Sequence, residues 1–207
     1  MSRRKVTVDG MSACGKTRLI TVLAEYATAH YHGKVKPREE FVGCPSPITS
    51  IDIQTPESRS IDLWEVSYSS FERLTVLAYP KTNLVLFCFA LDYLDDAGVV
   101  YDVQDKVDYL ISKKSHKPRD APLILVGCRN DLRKQQEAAK NTRVFTQASQ
   151  ELRRYAKKNH VEYFECSAES QENIAELLRG VIRILFLERK DSAGKDWKTR
   201  SSKCIVL

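Results

Sequence analysis

Apolar and polar positions along the chain switch repeatedly between two periods, which predicts strands and helices in turn. Val6-Thr7-Val8 reads as a short strand. After a glycine-flanked loop, Leu19, Ile20, Leu23, Ala24 and Ala27 recur at helical spacing. Residues 48–53 and 61–65 are short alternating runs separated by Thr55-Pro56-Glu57-Ser58, the signature of a β-hairpin. The continuous apolar runs 83–90 (NLVLFCFA) and 123–126 (LILV) are expected of strands covered on both faces of a parallel sheet, and 163–166 supplies a last strand. Amphipathic helices lie between them. One carries Val103, Val107, Leu110 and Ile111; another carries Ala148, Leu152, Tyr155 and Ala156. The last, with Ile174, Leu177, Leu178, Val181, Ile182 and Leu185, has the strongest helical period of all. The pattern predicts a three-layer α/β fold: a mostly parallel six-stranded sheet with one antiparallel edge hairpin and about five helices. The period stops near Glu188, dividing the chain into a domain over 1–188 and a flexible basic tail over 189–207.

Composition narrows the class. A length of 207 residues suits one domain with a full core. No run approaches the roughly 20 apolar residues of a membrane span. The stretch after Met1-Ser2-Arg3-Arg4-Lys5 is too short for a signal-peptide core, and position 2 is not the Gly that myristoylation needs. The six cysteines include no C-x-x-C pair, so reduced thiols are expected and a zinc site is not. Between Glu188 and Lys203 six basic residues face three acidic ones, a net +3 that is half of the chain's +6. Such a tail can serve nucleic acid, a membrane or solubility. With Trp197 as its one aromatic residue, nucleic acid is the weakest of the three.

The loop Gly10-Met11-Ser12-Ala13-Cys14-Gly15-Lys16-Thr17 fits G-x-x-x-x-G-K-[ST], between a predicted strand and a predicted helix. Gly10 and Gly15 reach backbone conformations closed to other residues, so successive N–H groups can face phosphate oxygens. Lys16 supplies charge to the β- and γ-phosphates, and the Thr17 hydroxyl can ligate Mg²⁺. The competing reading is a glycine turn with an exposed lysine, which this context disfavours.

With that loop in place, other segments resemble the Rho family of small GTPases over nearly the whole chain. Leu63-Trp64-Glu65, Phe71-Glu72-Arg73-Leu74 and Ala78-Tyr79-Pro80 are similar to the segment around the family's second switch. Gly127-Cys128-Arg129-Asn130-Asp131-Leu132-Arg133 sits where the guanine-specificity motif belongs, and Glu165-Cys166-Ser167-Ala168 matches the last base-contacting motif. Residues 134–141 are similar in place to the Rho insert helix, though shorter. Cys204-Ile205-Val206-Leu207 is a C-a-a-X box. The resemblance implies a P-loop small-GTPase fold binding GTP or GDP with Mg²⁺. It implies nucleotide contacts from Gly10, Ser12, Ala13, Cys14, Gly15, Lys16 and Thr17. Asp131 would accept hydrogen bonds from the guanine ring, Arg129 would lie along the base, and the Ser167-Ala168 backbone would meet the base carbonyl. Taken alone, Asp131 could instead cap a helix. Thr17 would be the metal ligand, with Glu65 as the candidate acidic partner.

The departures fall on switching and catalytic positions. Ser12 replaces a family glycine, and Glu65-Val66-Ser67-Tyr68-Ser69-Ser70 holds no glutamine to orient water. Glu65 replaces an aspartate and moves the carboxylate by about 1.5 Å, one bond length. The first-switch threonine position falls near Val35 or Gly43, neither with a hydroxyl; Thr49 or Ser46 could substitute only in a rearranged loop. Cys128 replaces a bracing asparagine. Residues 38–50 resemble no typical member, so effectors cannot be named from them. The resemblance therefore implies a membrane-associated, GTP-holding signalling protein of cytoskeletal or trafficking type, with hydrolysis weak or absent. It would be a monomer with effector partners and no nucleic acid. A geranylgeranyl group on Cys204 and the basic tail would hold it at the cytoplasmic face of the plasma membrane or an endomembrane, with a cytosolic pool. The alternatives are a competent GTPase with rearranged switches, a nucleotide-free scaffold and, more distantly, a P-loop kinase.

Overall fold

A computed structural model describes residues 2–31, 34–39, 48–53, 59–66, 78–112, 121–140 and 143–186. The elements in chain order are β1 (Ser2–Gly10), α1 (Lys16–His30), β2 (Lys34–Glu39), β3 (Ile48–Ile53), β4 (Arg59–Glu65) and β5 (Leu84–Ala90). A 3₁₀ turn (Leu91–Tyr93) leads to α2 (Ala97–Ile111), β6 (Leu123–Cys128), α3 (Asn130–Lys140), α4 (Val144–Lys158), β7 (Glu162–Glu165) and α5 (Ile174–Phe186). The strands form one sheet in the order β2-β3-β4-β1-β5-β6-β7. β4, β1, β5, β6 and β7 are mutually parallel, while β3 runs antiparallel to both β4 and β2.

The two-residue alternation of a strand sorts the core into two halves. Leu84, Leu86 and Cys88 of β5 pack on the side of α1 and α5, with Leu19, Leu23, Leu177 and Val181. Val85, Phe87 and Phe89 pack on the opposite side with Val103 and Val107 of α2 and Leu152 and Ala156 of α4. Each such leucine or phenylalanine contributes about 1.5–3 kcal/mol by leaving water, which is why these strands read as unbroken apolar runs. The three layers are those the sequence predicts, and the hairpin of β3 and β4 lies where the alternating runs placed it.

The sheet has seven strands, one more than the periodicity predicts. The addition is β2, which pairs with β3 on one side only. Its sequence, Lys-Val-Lys-Pro-Arg-Glu, has neither the alternation nor the apolar content of a buried strand. An edge strand needs neither, and charges with a proline protect an edge from further pairing. Its register shifts between Lys36 and Glu39, around Pro37, which has no N–H to donate. Val35 therefore lies in a ladder opposite Ile51 rather than in an open switch loop, and Thr49 is held opposite Leu63. Of the 134–141 stretch, residues 134–140 continue α3, which starts inside the preceding motif at Asn130, and residue 141 lies outside the described residues. Gly43, Ser46, the 55–58 turn, the 67–77 segment and the tail with Cys204 lie outside the described residues.

Candidate functional site

The carboxyl ends of β1, β6 and β7 open on one edge of the sheet, where ligands of open α/β sheets bind. β1 ends at Gly10, with φ +148°, pressed against β5: a Cβ there would lie 2.0 Å from the Cys88 carbonyl oxygen. That oxygen also accepts the Met11 N–H at 2.9 Å and the Cys14 thiol at 3.4 Å, so one carbonyl of β5 anchors the loop. Ala13 (φ 55°) and Gly15 (φ 97°) are left-handed, and Gly15 caps α1 without a side-chain bond. The first turn of α1 holds no acidic residue, so nothing on the helix itself neutralises its positive end. Ser12 stands exposed at the crest.

Lys16 is buried and folds back over the loop, donating to the carbonyls of Gly10 at 3.1 Å and Met11 at 2.8 Å. Its charge is thus held against the start of the loop. The Thr17 hydroxyl donates to the buried carboxylate of Glu65. With its proton committed there, the hydroxyl keeps lone pairs for a cation. One hydroxyl and one carboxylate are oxygen donors of the kind Mg²⁺ takes, so Thr17 and Glu65 would hold it and it would neutralise phosphate charge there. Among the described residues no group of three or more His, Cys, Asp or Glu forms a metal site of its own.

Beside the loop lies a pocket of about 320 Å³ whose wall includes Ala13, Gly15, Cys128, Arg129, Asp131 and Ala168. It brings the two predicted base-contacting segments against the phosphate loop. Ser167 is fully buried and donates to Asp131 Oδ1 at 2.6 Å, fixing that carboxylate at the pocket. Arg129 has a left-handed backbone (φ 64°), and its Cγ passes near Gly15. Its guanidinium pairs with Asp92 at 2.9 Å and lies over the Tyr93 ring. The floor holds the thiols of Cys14, Cys128 and Cys166. Burial, followed by the neighbouring Cys88 thiol, pushes Cys14 up to about 12. Hydrogen bonding with Cys166 and Cys88, together with burial, pushes Cys128 well above the ordinary thiol range. Both are neutral thiols at pH 7.

These positions match a known pattern along the whole domain. A Ras family sequence profile matches residues 5–186. The chain belongs to the Ras family. Within it, this Ras-family chain is similar to Rho proteins over nearly all its length. It is 29% identical to GTP-binding protein RHO1 of Saccharomyces cerevisiae, with 99% of this chain and 96% of that one covered. It is also 29% identical to GTP-binding protein rho1 and to GTP-binding protein rho5 of Schizosaccharomyces pombe, with 99% of this chain and 98% of each of those covered.

Three features of the Ras-family site were not visible in its sequence. Cys128 meets the neighbouring thiols and makes a long contact, 3.9 Å, to the Val126 carbonyl, so it braces little. The bracing falls instead to Asn130, buried at the start of α3. Its N–H donates to the Cys166 carbonyl at 3.1 Å and its amide to Glu172 at 3.0 Å, while its oxygen accepts from Arg133 at 2.9 and 2.6 Å. Asp9, buried beneath the loop, accepts the Gly10 N–H at 2.7 Å and the Tyr79 hydroxyl, tying the loop to the residues that follow the 67–77 segment. Asp92 anchors Arg129. Buried Asn and Asp at the ends of apolar strands are the one sequence signal that could have pointed to all three.

Proposed function

We propose that this chain is a Rho-like GTP-binding signalling protein that holds GTP and hydrolyses it weakly or not at all. The observation that carries the reading is an asymmetry. The phosphate loop, Lys16, Thr17 and an Asp131 pocket adjoin in one cleft, while the run after Glu65 has no glutamine and Ser12 occupies the loop crest. Orienting the attacking water and admitting an arginine finger are together worth roughly 10³–10⁵ in rate. A chain lacking the first, with a side chain in the way of the second, binds without turning over.

In this reading Lys16 and the loop N–H groups hold the phosphates. Asp131 accepts from the guanine ring N–H and amino group, with Ser167 fixing its oxygen and the Ser167-Ala168 backbone at the base carbonyl. Thr17 and Glu65 would hold Mg²⁺, which neutralises phosphate charge when bound. Geranylgeranylation of Cys204 beside the basic tail would bring the protein to the cytoplasmic face of a membrane, where a role in cytoskeletal or trafficking control fits its Rho relatives. Retention of the Thr17–Glu65 pair favours, as a second reading, a slow switch that still hydrolyses.

The test is mass-spectrometric identification of the nucleotide that co-purifies, followed over hours. GTP that persists, and is not depleted by a Rho-type activating protein, supports the proposal. Rapid stimulated conversion to GDP overturns it, and an empty site would leave only the scaffold alternative. The lipid part fails separately if Cys204→Ser leaves the membrane fraction unchanged.

A further inference from the structure

Asp92 sits in the 3₁₀ turn after β5, its side chain only 2% exposed. One oxygen pairs with Arg129 Nη2 at 2.9 Å; the other, Oδ1, is buried without a hydrogen-bond partner. Such a carboxylate is costly to the fold, because desolvation of the charge is offset by one ion pair and its own backbone N–H. Burial raises its pKa above the ordinary carboxylate value; the Arg129 guanidinium and its own backbone N–H oppose that rise, while Asp131 and Asp95 add to it. A group kept at such a cost invites the question of what Arg129 gains from it.

Arg129 joins three parts of the site. Its stem lines the pocket and passes Gly15, its guanidinium covers the Tyr93 ring at 5.1 Å, and its Nη1 reaches the Ala13 carbonyl at 3.4 Å. The guanidinium is a rigid fork, so fixing one arm on Asp92 aims the other at the phosphate loop. Arg129 is still 29% exposed, so without that anchor the Tyr93 ring and the long Ala13 contact are left to hold its side chain at the loop.

We propose that Asp92 is a positioning residue for nucleotide retention. Acting only through Arg129, it clamps the base-pocket wall to the phosphate loop and slows nucleotide release. The inference rests on the reading of this pocket as a guanine site. It identifies a residue outside both base-contacting motifs as a determinant of residence time.

The experiment measures dissociation of a fluorescent N-methylanthraniloyl GDP from the full chain in excess Mg²⁺, for wild type, Asp92→Asn, Arg129→Ala and the double variant. Asp92→Asn keeps shape and removes the charge. Removing one partner of a buried charge pair acts mainly on the off-rate, so release is expected to accelerate roughly tenfold or more with little change in association. If Asp92 works through Arg129, the double variant releases no faster than Arg129→Ala alone. Should Asp92→Asn merely loosen the fold, the two effects would multiply, and that result overturns the proposal. So does an Asp92→Asn off-rate within twofold of wild type. Should Asp92→Asn not fold, an Arg129→Lys variant that releases as slowly as wild type overturns it equally, since lysine lacks the two-armed fork. A wild-type chain that binds no labelled GDP overturns the guanine-site reading and this inference with it; tight wild-type binding with unaltered variants overturns the inference alone.

Discussion

Substitution of Gly10 by alanine isolates how the phosphate loop is seated. The added Cβ would lie 2.0 Å from the Cys88 oxygen, 2.6 Å from its nitrogen and 2.7 Å from its carbonyl carbon. All three are backbone atoms of a central strand, and no side-chain rotation relieves the overlap. Either β1 and β5 separate by more than an ångström, or the loop lifts and gives up the Met11 N–H bond to the same oxygen. Overpacking of this kind costs about 1–3 kcal/mol. The φ of +148° adds strain of roughly 1–3 kcal/mol. The expected loss is therefore about 2–6 kcal/mol, a large part of a total of roughly 5–15 kcal/mol. Gly15→Ala is the control, because its Cβ would meet nothing closer than Arg129 Cγ at 3.9 Å; only the strain of φ 97° remains, about 1–3 kcal/mol. Urea unfolding of the two variants in parallel, with and without GDP, reads the difference. Equal midpoints for the two, or a Gly10→Ala loss below about 1 kcal/mol, would refute the claim that backbone contact with β5 seats the loop.

Other expectations follow from buried polar contacts. Asn130→Ala removes acceptor and donor from Arg133 and Glu172, so a stability loss of about 1–3 kcal/mol and weaker discrimination of GDP over ADP are expected by denaturation and competition binding. Thr17→Ala should abolish the dependence of nucleotide retention on Mg²⁺, read as off-rates with and without EDTA, while leaving the loop folded. Burial alone would raise the Glu165 carboxyl, but hydrogen bonds from Ser149 and Tyr163 and the charges of Arg133 and Arg153 outweigh it and hold it below the usual range. A lowered carboxylate stabilises the fold fully above its unfolded value, near 4.3, and loses that contribution as pH falls through the native value. Stability against pH should therefore drop below about pH 5 in the wild type, with Glu165→Gln less stable at pH 7 and flatter across the acid limb.

The sequence revealed most where one rule acts alone. β5 and β6 are covered on both faces, so unbroken apolar runs announce them; the strand–loop–helix seating of Lys16 needs residue types found nowhere else. β2 was missed because an edge strand buries little and obeys no apolar period. The pocket beside the phosphate loop was legible as two motifs but not as a braced object. Asn130 and Asp92 act through partners 42 and 37 positions away, and no local pattern records a contact made only when β5, β6 and β7 lie side by side. The loss of asparagine at 128 suggested a weakened loop, whereas the load has moved two residues along, to the first turn of α3.

The thiols beneath the pocket give the molecule an internal clock. Cys14, Cys88, Cys128 and Cys166 are all buried, and Cys14 and Cys128 are held as neutral thiols that react poorly with alkylating reagents. An alkylating reagent reaches them only in the moments when strand ends and loops part. Their labelling rate thus counts openings of the site itself, and nucleotide that slows the count does so by keeping the cleft shut.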